Sequence, residues 1–246
     1  MNISSTLHYS RSFSGFVWRI KLDEVTCKLW LEVRDESTFE ISLFWVDLKN
    51  GEEGQFPCNG SLGWWDSIVH AYDDILCIQH MKDTTNPGPV DLKIINARNT
   101  TESRIFSDLI IEVLHANHLE VVIEGDKQII ELCEFKDLHS DKLLMPQVYP
   151  EGHQYHEIVK GFLADKREGN ISGPIMYLED ESIFIVYHVK QNDIISRRLV
   201  CIKNDKIVLE ELIDEKMTGY SNESFFTFSN YLIFIENRRT VKVYSK

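Results

Sequence analysis

The feature that most restricts this chain is a recurrence. Short runs of β-branched and aromatic residues, each closed by a polar turn of two to four residues, follow one another from end to end. Such runs are too short for helices and carry the residue types that suit a pleated, half-buried surface, so they predict strands joined as hairpins. Asn50-Gly51, Gly125-Asp126 and Asn204-Asp205 are turn dipeptides between such runs, because Gly, Asn and Asp tolerate the positive φ that tight hairpins need. The run 182–189 (Ser-Ile-Phe-Ile-Val-Tyr-His-Val) and the run 39–48 are apolar on both faces of the pleat, which predicts packing on either side.

The hairpins group into five units, beginning near residues 16, 67, 109, 174 and 224. Four-stranded antiparallel units at intervals of 40 to 50 residues predict an all-β, β-propeller-like domain of about five blades spanning 1–246. The wide third interval holds a non-β insert at about 139–172, where Pro146, Pro150 and Gly152 interrupt the pattern and Ile158, Val159, Phe162 and Leu163 are spaced as on one helical face. The fifth unit ends one strand short, so residues 6–11 are expected to pair with it and close the ring. A β-sandwich of stacked sheets is the alternative architecture.

Val17-Trp18-Arg19-Ile20, the Trp64-Trp65 pair, Ser172-Gly173-Pro174-Ile175-Met176-Tyr177-Leu178, Ser224-Phe225-Phe226 and Leu232-Ile233-Phe234-Ile235 together resemble a propeller-like family of Bacteroidetes described as a domain of unknown function. The resemblance implies a propeller-like fold and supplies no activity, so no catalytic residue is carried over from it.

Charge removes some function classes. With 26 basic and 39 acidic residues the net charge is −13, and no basic cluster exceeds Arg197-Arg198 or Arg238-Arg239. A surface that tracks nucleic-acid phosphates or an anionic membrane therefore lacks its electrostatic drive. No apolar run approaches a membrane span, and residues 1–25 lack the apolar core of a secretory signal, so a cytoplasmic location is expected. The five cysteines are widely spaced without a CxxC pair, which predicts reduced thiols and no zinc knuckle.

Neither histidine pair offers a complete metal-binding pattern. His153 and His156 precede Glu157 in the order His-x-x-His-Glu, which misplaces the base of a zinc hydrolase; His115 and His118 bracket a turn where polar residues are needed anyway. No metal or cofactor is expected. All five tryptophans lie within the first 65 residues. Trp18, Trp30 and Trp45 sit inside predicted strands and are expected in the core, whereas Trp64 and Trp65, beside Asp66, fall on a connection between units, where ligand sites gather. These three are the candidate binding residues, able to stack on a ring or anchor a partner. The expected function is that of a binding or scaffold module without catalysis, with a protein or small molecule as its ligand. The alternative is a hydrolase or lyase whose site lines a central funnel.

Overall fold

In the computed structural model, residues 6–57, 62–83, 85, 88–99, 103–134, 142–164, 170–221 and 225–246 are described. Strands make up 66% of the described residues, which include one helix, so the all-β reading stands. In chain order, β1 (Thr6–Ser12) is followed by β2 (Phe16–Asp23), β3 (Lys28–Asp35), β4 (Glu40–Asp47) and β5 (Glu53–Gln55). Then come β6 (Asp66–Tyr72), β7 (Ile75–Met81), β8 (Val90–Asn96), β9 (Ser103–Leu114), β10 (His118–Ile123) and β11 (Asp126–Glu131). The second half holds β12 (Leu143–Leu144), β13 (Gln147–Tyr149), the helix α1 (Gln154–Ala164), β14 (Asn170–Glu179), β15 (Ile183–Gln191), β16 (Ile194–Lys203) and β17 (Lys206–Met217), then β18 (Phe225–Phe228), β19 (Tyr231–Glu236) and β20 (Thr240–Ser245).

These elements form two compact units, one of residues 13–139 and one of Met1–Ser12 with Ser140–Lys246. The first unit contains a four-stranded sheet, β2 to β5 in order, and a six-stranded sheet, β6 to β11 in order. Trp30, Leu43, Ile68, Leu76 and Ile78 meet in one cluster between the two. A second cluster, with Cys77, Leu92, Leu109, Leu119 and Val121, belongs to the six-stranded sheet. The second unit contains two five-stranded sheets, ordered β1-β20-β19-β18-β12 and β13-β14-β15-β16-β17. Phe184, Val186, Leu199, Phe225 and Phe234 join them in a shared core.

Among the described residues no sheet closes on itself and the sheets do not form a propeller, which corrects the five-bladed expectation and the propeller-like fold implied by the family resemblance. The arrangement fits the alternative of stacked sheets. The physical reason lies in β9. A new unit is expected to begin near residue 109, yet nothing just before that position breaks a strand. Ser107 and Asp108 carry the chain through, Asp108 at a φ of 56°, and a register shift absorbs the distortion, as in a β-bulge. One half of β9 pairs with β8 and the other with β10, so two expected blades become one sheet.

The pairing proposed for the N-terminal strand is present: Ser10 faces Lys242 and Ser12 faces Thr240. It lies at one edge of an open sheet with β12 at the other, so it joins the first and last strands without closing that sheet into a ring. Consecutive residues at positive φ mark tight turns at Asp73-Asp74, Glu124-Gly125, Asn192-Asp193 and Asn204-Asp205. The apolar run of β15 is buried on both faces. Phe184 and Val186 enter the shared core, while Ile185, Tyr187 and Val189 pack with Val159 and Leu163 of α1.

In the first unit two buried carboxylates of the four-stranded sheet bind the six-stranded one. Asp23, fully buried, accepts the N–H groups of Val25 and Thr26 at 3.1 and 3.2 Å and those of Asp73 and Asp74 at 2.9 and 2.7 Å. Both oxygens are occupied, so an amide at this position must aim a donor at a donor. Asp23→Asn is therefore expected to cost about 2–4 kcal/mol by equilibrium urea unfolding. The same change at Asp47, whose side chain accepts one exposed bond from Lys49, should cost less than about 1 kcal/mol.

In the second unit His188, also fully buried, donates from Nδ1 to the Pro174 carbonyl at 3.1 Å and accepts the Ser221 N–H at Nε2. This pairing needs the neutral ring, and burial pushes its pKa below the ordinary value. Burial lowers that of His70 in the first unit too. In the unfolded chain these rings take up protons near pH 6.5, which the folded state resists. Their stabilising contribution is thus complete above about pH 6.5 and lost as pH falls from there toward the lowered folded values. The urea midpoint should drop between pH 7 and 5.5, and the drop should shrink in His188→Gln.

Candidate binding sites

Around the predicted residues Trp64, Trp65 and Asp66, the organising group is Arg34 of β3, which is buried. Its guanidinium lies over two indoles, 4.9 Å from the Trp18 ring and 5.2 Å from that of Trp64. Its Nη1 and Nη2 donate to the carbonyls of Trp64 and Asp66, both at 2.8 Å, and its Nε donates to Glu32 at 2.7 Å. Glu32, fully buried, also accepts from the Ser67 hydroxyl and the Ile68 N–H. A charge removed from water is tolerated when paired and hydrogen-bonded in this way.

This geometry assigns Trp64 and Asp66 structural work. Trp64 is half-buried and meets Phe39 edge-on at 5.3 Å. Asp66 accepts the Gly63 N–H at 2.6 Å and pairs with His80 Nδ1 at 2.7 Å, which closes the turn before β6. Trp65, 47% exposed, remains available on the surface. Trp18, expected in the core, is 46% exposed; its place in a strand set only which face it occupies, and that face is turned to solvent. Trp30 is core as expected, and Trp45 is half-buried. A Cβ at Gly54 would lie 2.8 Å from the Trp45 indole nitrogen, so glycine is what lets β5 approach that ring. Trp65→Ala is expected to change stability by less than about 0.5 kcal/mol, whereas Trp64→Ala should cost about 2 kcal/mol, measured by urea unfolding of the two single variants.

A concave site lies in the second unit, where the sequence showed only an insert. Helix α1 is tied to β14 at Gly173. Glu151 accepts the Gly173 N–H, and buried His156 donates to its carbonyl at 3.0 Å. Gly173 has a φ of +73°, and a Cβ there would overlap the Tyr220 ring at 2.3 Å, so only glycine fits. With Val159 and Leu163 turned to the sheet, the flank of α1 bearing Tyr155, Ile158 and Phe162 faces a cleft of about 550 Å³. Tyr149, Tyr177, Glu179, Ile183 and Ile185 form the rest of its wall with Gln147 and Val159.

The polar groups of this cleft are mainly acceptors. Tyr149 donates its hydroxyl to Gln147 and Tyr177 donates to Glu179, each at 2.6 Å. Burial, then the bond to Glu179, raises the pKa of Tyr177, so its phenol stays protonated and is no base near neutrality. No lysine, arginine or histidine lines the cleft among the described residues. A cleft of about 590 Å³ in the first unit is more polar, but its arginines are engaged: Arg98 with Asp73 and Asp74, Arg104 with the Glu131 carbonyl.

The two histidines of the 153/156 pair have separate partners. His156 is buried with Nε2 on Gly173 and Nδ1 facing Glu157, while His153 stacks on Tyr149 at 5.2 Å. No disulfide joins the described cysteines; Cys58 lies outside the described residues. Burial pushes the thiol of Cys77 up to about 12 and that of Cys201 up to about 11, so neither is a nucleophile near neutral pH. No helix is long and apolar enough to cross a membrane among the described residues. No protein-family model matches the chain, and no curated protein matches it.

Proposed function

We propose that the protein is a binding module without catalysis, and that the cleft between α1 and β13–β15 receives a small, ring-bearing, neutral or cationic molecule. The observation that carries this reading is the composition of the cleft wall. Three tyrosines, with Ile158, Phe162 and Ile185, give flat apolar area, and Glu179 supplies the carboxylate. Its volume falls in the range of small-molecule sites, about 300–1,000 Å³. Acceptors without a lining cation favour a ligand that brings donors, and tyrosine faces attract a cation. The same features oppose an anion, which would meet Glu179 without a counter-charge.

Binding of tyramine and of 4-hydroxyphenylpropionate, a ring of the same kind with an amine or a carboxylate, tests the charge preference by calorimetry. The amine should bind at least about tenfold more tightly, a difference of about 1.4 kcal/mol. Glu179→Gln should reduce that preference and Ile158→Asp should abolish binding of the ring. Equal affinity for the two probes, or an unchanged isotherm in Ile158→Asp, would overturn the reading.

A second reading rests on a separate observation. Trp65 and Phe39, which are 47% and 64% exposed, flank the half-buried Trp64 on the first unit. Phe39 holds a positive φ of 57°, which is costly for a bulky residue. Exposed aromatic anchors of this kind suit a protein partner.

A further inference from the structure

The turn between β9 and β10 gathers three side chains that the chain order presents only as an isolated histidine pair. The rings of His115 and His118 stack at 4.2 Å with 16° between their planes. Two residues beyond His118, on the same face of β10, Glu120 accepts from or pairs with His115 Nε2 at 2.8 Å. One ligand atom from each of the three lies within 4.8 Å of the others, and all three residues are half-buried. We propose that His115, His118 and Glu120 form a site for one divalent transition-metal ion of the zinc class.

Two imidazoles and a carboxylate are a donor set that suits zinc. Bond lengths of about 2.0–2.1 Å in a tetrahedral site require ligand atoms about 3.3 Å apart. His115 Nε2 and the Glu120 carboxylate, 2.8 Å apart, must therefore open slightly, a movement available to half-buried side chains beside a turn. The backbone beneath them is held: the His115 N–H donates to the His118 carbonyl at 3.0 Å, and His70 donates to the Ala116 carbonyl at 2.8 Å. The His118 ring is oriented as well. Its Nδ1 faces the Asn117 side-chain oxygen at 3.1 Å, so Nδ1 carries the proton and Nε2 has the lone pair a metal needs. Half-burial leaves the fourth position to water. On binding, the His115 Nε2–H···Glu120 bond gives way to two metal bonds, and the ring proton moves by way of solvent from Nε2 to Nδ1, so that the imidazole stays neutral.

Zinc titration of the full chain against a chromogenic chelator, in about 150 mM salt to screen diffuse attraction to the acidic surface, reads the site directly. One equivalent should bind with a Kd of about 1 µM or tighter. His118→Ala should weaken it at least about a hundredfold, and Asn117→Ala, which leaves all three ligands in place, about tenfold. Substituted cobalt should show the visible bands of a four-coordinate ion, and these should disappear in His115→Ala. Melting curves in chelator show whether each variant is folded, and the Asn117 variant keeps the test informative where a ligand variant is not. Zinc affinity that is the same in the wild type, His115→Ala and His118→Ala, or that is no tighter than about 0.1 mM in the wild type, would overturn the assignment and identify the cluster as an ordinary surface ion pair beside stacked rings.

Discussion

Two buried carboxylates hold the first unit together. A sheet edge exposes backbone N–H groups that need partners, and β6 is such an edge. Glu32 takes the Ile68 N–H of that edge, and Asp23 takes those of Asp73 and Asp74 in the adjoining turn. Both acids come from the neighbouring sheet. The apolar cluster around Trp30 and Leu76 fills the space between the sheets, but hydrophobic contact is not directional. Side-chain acceptors matched to particular amide groups fix which residue of one sheet meets which residue of the other.

The aromatic surface depends on the same arrangement. Arg34 completes the charge balance of Glu32, and its remaining donors hold the carbonyls of Trp64 and Asp66. The turn that displays Trp65 is thus a product of the buried pair. Trp18 and Trp64 both pack on the guanidinium, which limits its hydration and strengthens its bonds. In the second unit Gly173 has a comparable place. Its backbone meets Glu151 and His156, its missing side chain admits Tyr220, and the helix wall of the cleft is thereby set against the sheet. Polar contacts of low number but high specificity position both candidate surfaces, while apolar burial supplies most of the cohesion.

Local chemistry made the strands, their antiparallel hairpins, the double-sided burial of β15 and the helix of the insert legible in the amino-acid sequence, because alternation, turn residues and helical spacing act over a few neighbours. The pairing of the N-terminal strand with the last was also legible, since a three-stranded unit lacked a partner. Trp65 was legible as an exposed aromatic by its place in a connection. What adjacent residues could not convey is which strands share a sheet: Ser107 and Asp108 look like a gap between units, yet β9 runs through them, and the propeller dissolves into open sheets. The exposure of Trp18, the capping role of Asp66, and the convergence of Tyr149, Tyr155 and Tyr177 on one cleft depend on contacts far apart in the chain. So does the grip of Asp23 on a turn fifty residues away. Short-range periodicity determines the elements, whereas hydrogen bonds and packing between distant segments decide how those elements meet and which side chains remain exposed.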